Sequence, residues 1–174
     1  MRPVGPAAAL LGAALAAGCT ASKEDTASAC ELALQEPPSL ALGTGEAEFT
    51  PFDDGGGLPF FKGPQGGWHV YGSLQAAGVN PGDPTNTAAP DLPTLSFQVL
   101  EGGAFLGGYQ GLPRTLDEAG GAGGYELIGE LLVLGIAAPE DAEGLAVTVD
   151  AELRDSCGTT LHEARSAVLY SGDD

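Results

Sequence analysis

The chain is short of positive charge, of aromatic rings and of reactive side chains. Of its 174 residues only 6 are Lys or Arg, against 24 Asp or Glu, giving a formal net charge of −18. Neutralising a phosphate backbone requires Lys and Arg in number, so a nucleic-acid partner is excluded. Aromatics make up 6% of the chain, with a single Trp. The 2 His and 3 Cys show none of the spacings of a zinc site. His162-Glu163 stands alone, and His69 is far from it in sequence. No G-x-S-x-G elbow is present; Ser73 follows Gly72 but lacks the second glycine. The Gly-rich stretch 120–124 lacks the Lys-Ser/Thr ending of a phosphate loop. Neither a catalytic constellation nor a cofactor fingerprint emerges, so no cofactor is expected. Helix-length apolar periods alternating with strands are also missing, which argues against an α/β core.

What the chain has is glycine and proline, 28 and 13 residues respectively. Its hydrophobic share of 43% is that of a globular protein rather than a disordered one. The length fits one ordinary domain, with or without a tail.

The N-terminus reads as an export signal. Met1-Arg2 supplies a positive start, and the segment from Val4 to Ala17 is uncharged and rich in Ala, Leu and Gly. The apolar run from Pro3 to Gly18 falls short of the roughly 20 residues of a membrane span. Leu15-Ala16-Ala17-Gly18-Cys19 resembles the lipobox of bacterial lipoproteins, with Ala16 where Leu is commonest. The resemblance implies cleavage before Cys19 and lipidation of Cys19, so the partner at this end is the membrane. Thr20, not Asp, follows the cysteine. The sorting rule of that family then points to the outer rather than the inner membrane. The expected segments are a signal peptide over 1–18, a lipidated Cys19 and flexible tether over 19–29, a domain over 30–170 and an acidic tail over 171–174.

Once Cys19 is lipidated, Cys30 and Cys157 remain. Two thiols in an oxidising envelope are expected to pair as one disulfide; the alternative is two separate buried thiols.

Within the domain the dominant period is two. Trp68, Val70, Gly72, Leu74 and Ala76 alternate with polar or aromatic neighbours. Leu95, Phe97 and Val99 do the same, as do Val147, Val149, Ala151 and Leu153. The run from Tyr125 to Ile136 is continuously apolar, which predicts a strand covered on both faces or a short helix; Gly129 and Gly135 favour the strand. Asp155-Ser156-Cys157-Gly158 predicts a hairpin turn into a last strand from Leu161 to Tyr170. Earlier strands are expected at Ser39–Leu42, Glu46–Phe52 and Leu58–Phe61. Long loops are expected from Gly78 to Pro93 and from Gly111 to Gly124. The fold class is therefore all-β, with an Ig-like antiparallel sandwich of seven or eight strands as the expected architecture.

The most distinctive motif is Gly63-Pro64-Gln65-Gly66-Gly67-Trp68-His69. Pro64 fixes φ and the two glycines permit positive φ, so a sharp turn feeds a strand. Trp68 at a strand start suits the core. Gln65, Trp68 and His69 also form a workable recognition set of amide, aromatic and imidazole, and both roles remain open. With the stretches Gly43–Phe49 and Pro51–Gly55, this motif resembles a group of uncharacterised envelope lipoproteins of GC-rich bacteria. The resemblance covers about the first half of the domain and implies a shared sandwich fold with no assigned activity.

The function expected from this is a non-catalytic, membrane-anchored binding module that meets an envelope protein partner. Two alternatives stand beside it. One is an envelope hydrolase with paired carboxylates. The other is a calcium-binding adhesion-type domain using the loop carboxylates of Asp53-Asp54, Asp117-Glu118 and Glu140-Asp141.

Overall fold

The computed structural model describes residues 23–33, 35–120 and 124–172, with only the backbone for 23–27. The segment 1–18 expected as a signal peptide, Cys19 and Thr20 lie outside the described residues. So do the last two residues of the acidic tail.

A helix, α1 (Lys23–Ala33), precedes the strands. It overlaps the segment expected as a tether, where no apolar period announces a helix. Ten strands follow: β1 (Ser39–Thr44), β2 (Thr50–Pro51), β3 (Gly56–Lys62), β4 (Trp68–Ala77), β5 (Thr94–Glu101), β6 (Ala104–Pro113), β7 (Asp117–Glu118), β8 (Tyr125–Leu134), β9 (Ala146–Arg154) and β10 (Thr160–Ser171). The all-β class is as expected. The segment Glu46–Phe52 yields only the two-residue β2. Tyr125–Leu134 is a strand, and Asp155–Gly158 is the turn between β9 and β10.

The architecture differs from the expected sandwich. The strands form one sheet that closes into a seven-strand barrel in the order β4-β3-β10-β9-β5-β6-β8, with β8 returning to β4. Closure rests on β4. One of its edges pairs with β8 along most of its length, and the other holds β3 at Trp68–Val70 and β1 at Ser73–Ala77. Period-two alternation cannot separate the two architectures, because a sandwich and a small barrel both bury one face of every strand. Nor is the sheet wholly antiparallel: β3 and β10 run parallel.

The inward faces fill the barrel with Phe60, Val70, Leu74, Leu95, Phe97, Val99, Leu132, Val149, Leu153 and Leu169, all buried. Packing pairs large with small. A Cβ at Gly72 would lie 2.7 Å from Phe97 Cζ, so the ring takes the space that β4 leaves empty.

The expected Cys30–Cys157 disulfide is present, with Cα atoms 5.4 Å apart. It ties α1 to the β9–β10 turn. That turn is itself fixed, because Asp155 accepts hydrogen bonds from the amides of Cys157 (3.0 Å), Thr159 (2.7 Å) and Asn80 (2.9 Å).

Candidate functional site

The motif at 63–69 forms the β3–β4 hairpin. The Gly63 amide donates to Gly67 O at 2.7 Å, and the Gly66 amide to Gly63 O at 2.8 Å. Gly66 takes φ 85°, a conformation that favours glycine. The turn therefore does what its composition predicts, and it also sends two neighbouring side chains to opposite sides. Trp68 turns inward and meets Phe60 edge-on at 5.6 Å, with the Lys62 ammonium 5.8 Å from its ring centre. His69 turns outward.

Facing outward does not expose His69: it is 8% accessible. Phe61 and Tyr71 flank its ring at 6.2 and 5.1 Å. Its Nε2 is buried and has no hydrogen-bond partner. Burial pushes the imidazole pKa below the usual value, against a smaller upward pull from Glu46. Burial also raises the Tyr71 phenol, and the neighbouring Glu46 carboxylate adds to the rise.

Beside His69 lies a groove of about 360 Å³ bounded by Pro64, Gln65, Trp68, Tyr71, Leu131 and Val133. The β4–β8 register explains its floor, because Leu131 lies opposite Tyr71 and Val133 opposite His69. The wall continues across β3 into a depression of about 330 Å³ that holds Phe52, Phe61 and Tyr170 beside Glu46. Phe52, Phe61, Tyr71 and Tyr170 thus gather on one outer wall of a chain with few aromatics.

Comparison with protein-family models, with curated proteins and with solved structures finds no match.

The structure brings Pro64, Gln65, Gly67, Trp68 and His69 of the motif to one groove. The remaining residues of that wall were not expected as a site. The available signal was the apolar run of β8. A strand covered on both faces was the expectation there, yet only one face is covered. Leu132 and Leu134 are buried, while Leu131 and Val133 are 54% and 60% exposed.

The other candidates scatter. His162 lies on β10 with Nε2 2.8 Å from Asp150 on β9. The Asp54 carboxylate accepts the Ser166 amide at 2.7 Å, and the amide and hydroxyl of Ser166 hold its pKa below the usual range. Asp141 accepts the Ala138 amide at 3.1 Å, and Asp117 and Glu118 pair along β8. The Asp54 and Asp141 carboxylates thus stitch a strand and a turn, while Asp117 and Glu118 are joined to β8 through their backbone. Among the described residues no group of three or more His, Cys, Asp or Glu side chains is placed to hold a metal ion.

Proposed function

We propose that this chain is a lipid-anchored protein of the bacterial outer envelope, and that its barrel is a non-catalytic binding module for an envelope partner. The anchor rests on the pattern ending at Cys19. The binding role rests on one observation, the outer groove beside His69. A soluble barrel normally presents polar residues outward, as β9 does with Thr148, Asp150 and Glu152. Exposed Leu131 and Val133, an aromatic wall and a buried imidazole nitrogen without a partner depart from that rule together.

The test is site-specific photo-crosslinking in the native membrane. A crosslinker at Val133 is expected to give a discrete adduct, whereas one at Thr148 on the polar wall gives none. Cys19→Ser is expected to release the chain from the membrane and lose the adduct. Equal labelling from both positions, or none from either, would overturn the binding role. Membrane retention of Cys19→Ser would overturn the anchor.

A further inference from the structure

The apolar wall is framed mostly by negative charge. Glu46 lines it, and Glu48, Asp53 and Asp54 lie in the loops beside β2 and β3. Glu143 accepts the Ser171 amide at 2.8 Å, next to Tyr170. Among the described residues two cations stand against this frame: the Lys62 ammonium sits over Trp68, and Arg165 lies close enough to Asp54 to lower its pKa while pairing with Glu163.

The wall also contrasts with the free strand edge nearby. β3 registers with β10 only from Ala167 onward, and Ser166 bonds Gly55 and Asp54, so residues 160–165 pair on one side alone. That edge carries the Arg165–Glu163 ion pair, and His162 hydrogen-bonds Asp150 on β9. Such charges are how proteins keep an edge strand from pairing with another chain. The aromatic wall instead keeps its charges at the rim, with Glu46 and Lys62 beside Phe61 and Tyr71.

We infer that the wall receives a segment of a partner protein with an apolar anchor flanked by Lys or Arg. The inference rests on the binding role proposed above and adds the chemistry of the partner. The apolar anchor follows from the groove between Trp68 and Val133, and the cationic flank from the acidic frame. A second copy of this chain would bring the same acidic frame against itself. An anionic bilayer would be repelled by it in the same way.

The experiment uses the full chain in mild detergent, and Trp68 reports on it. It is the only Trp and it lines the groove. The probes are three short peptides in which leucine alternates with lysine, with serine or with glutamate. The lysine peptide is expected to shift Trp68 emission saturably and to bind more weakly as salt is raised. Glu46→Gln should weaken it about two- to five-fold, the worth of one rim charge pair. Val133→Ser, at an exposed position, should weaken it as well. If the serine or glutamate peptide binds as tightly, the cationic flank is wrong while the groove stands as a binding site. If lysine-peptide binding ignores both substitutions, attraction to the acidic surface in general replaces this inference. If no peptide shifts Trp68 while crosslinking at Val133 succeeds, the partner chemistry is wrong and the binding role survives. If both fail, both fall.

Discussion

The Tyr109 hydroxyl donates a 2.7 Å hydrogen bond to Glu130 Oε2 across the most sparsely paired seam of the barrel. Here β6 and β8 register at a single position, Gly107 opposite Leu134. Arg114 completes the clasp, reaching the same carboxylate oxygen at 3.1 Å while its guanidinium lies 4.9 Å from the Tyr109 ring centre. Side chains thus close a joint that backbone pairing leaves nearly open. Tyr109→Phe should cost about 1 to 2 kcal/mol, because it removes one donor from a part-buried carboxylate. A double-mutant cycle with Arg114→Met should show coupling rather than additivity, read from urea unfolding.

The same clasp sets an alkaline limit. Burial, reinforced by Glu130, pushes the Tyr109 phenol far above its usual range. In the unfolded chain it ionises near pH 10. Above that pH the unfolded state releases a proton that the folded state retains, so stability falls as pH rises. Thermal midpoints should therefore drop on going above about pH 10. The drop should be smaller in Tyr109→Phe than in the parent chain.

Sequence periodicity located most of the barrel because its staves are amphipathic, as β4, β5 and β9 illustrate. It missed β6, where Gly107, Gly108 and Gly111 interrupt the alternation. Two of those glycines serve close strand approach, since a side chain at Gly108 would collide with Phe97 O on β5 and one at Gly107 with Val133 O on β8. The closed architecture was illegible for a different reason. It depends on β4 holding three partners, and pairing of that kind leaves no mark in a period-two pattern. Half of the groove could be seen, as the turn with Trp68 and His69. The other half comes from β8, about sixty residues later in the chain. Nothing in its apolar run states that one face stays uncovered.

His69 should give the protein an acid sensitivity. Its pKa is lowered by burial, with Glu46 opposing. Below about pH 6.5 the unfolded chain takes up a proton that the folded chain resists. Stability is then fully present above the unfolded pKa and declines as pH falls through it. His69→Phe keeps a ring between Phe61 and Tyr71 and removes a buried nitrogen that has no partner. This variant should be at least as stable as the parent at neutral pH and should flatten the melting profile between about pH 7 and 5. A profile as steep as the parent's would move the acid response to other groups.

The Cys30–Cys157 disulfide encloses nearly the whole barrel, with a sequence separation of 127. In the chain-entropy account a loop of that size stabilises by about 4 to 5 kcal/mol. Cys30→Ser with Cys157→Ser should lower the urea midpoint accordingly. The barrel itself should still fold, because β1 to β10 supply its core without α1. Near-ultraviolet dichroism of Trp68 would show that tertiary packing persists.

Gly129 links the fold to the groove. It takes φ 72°, and a Cβ there would run into the Glu46 carbonyl oxygen. Its amide donates to Ser73 Oγ at 3.1 Å, and that hydroxyl donates to Gly45 O at 3.1 Å. This relay pins the loop carrying Glu46 onto the outside of β4 and β8, and so brings the carboxylate to Tyr71 and His69. Gly129→Ala should cost about 1 to 3 kcal/mol from the backbone conformation alone, with the collision adding to it. Its effect on the groove is more specific. With Glu46 displaced, the His69 pKa should fall further, because Glu46 is what raises it. The Tyr71 phenol should fall as well, since the Glu46 carboxylate helps to hold it up. NMR titration of both rings, with hydrogen exchange at residues 45–48, would measure this. Faster exchange in the loop with both titrations unmoved would show that Glu46 does not act on the groove from this position.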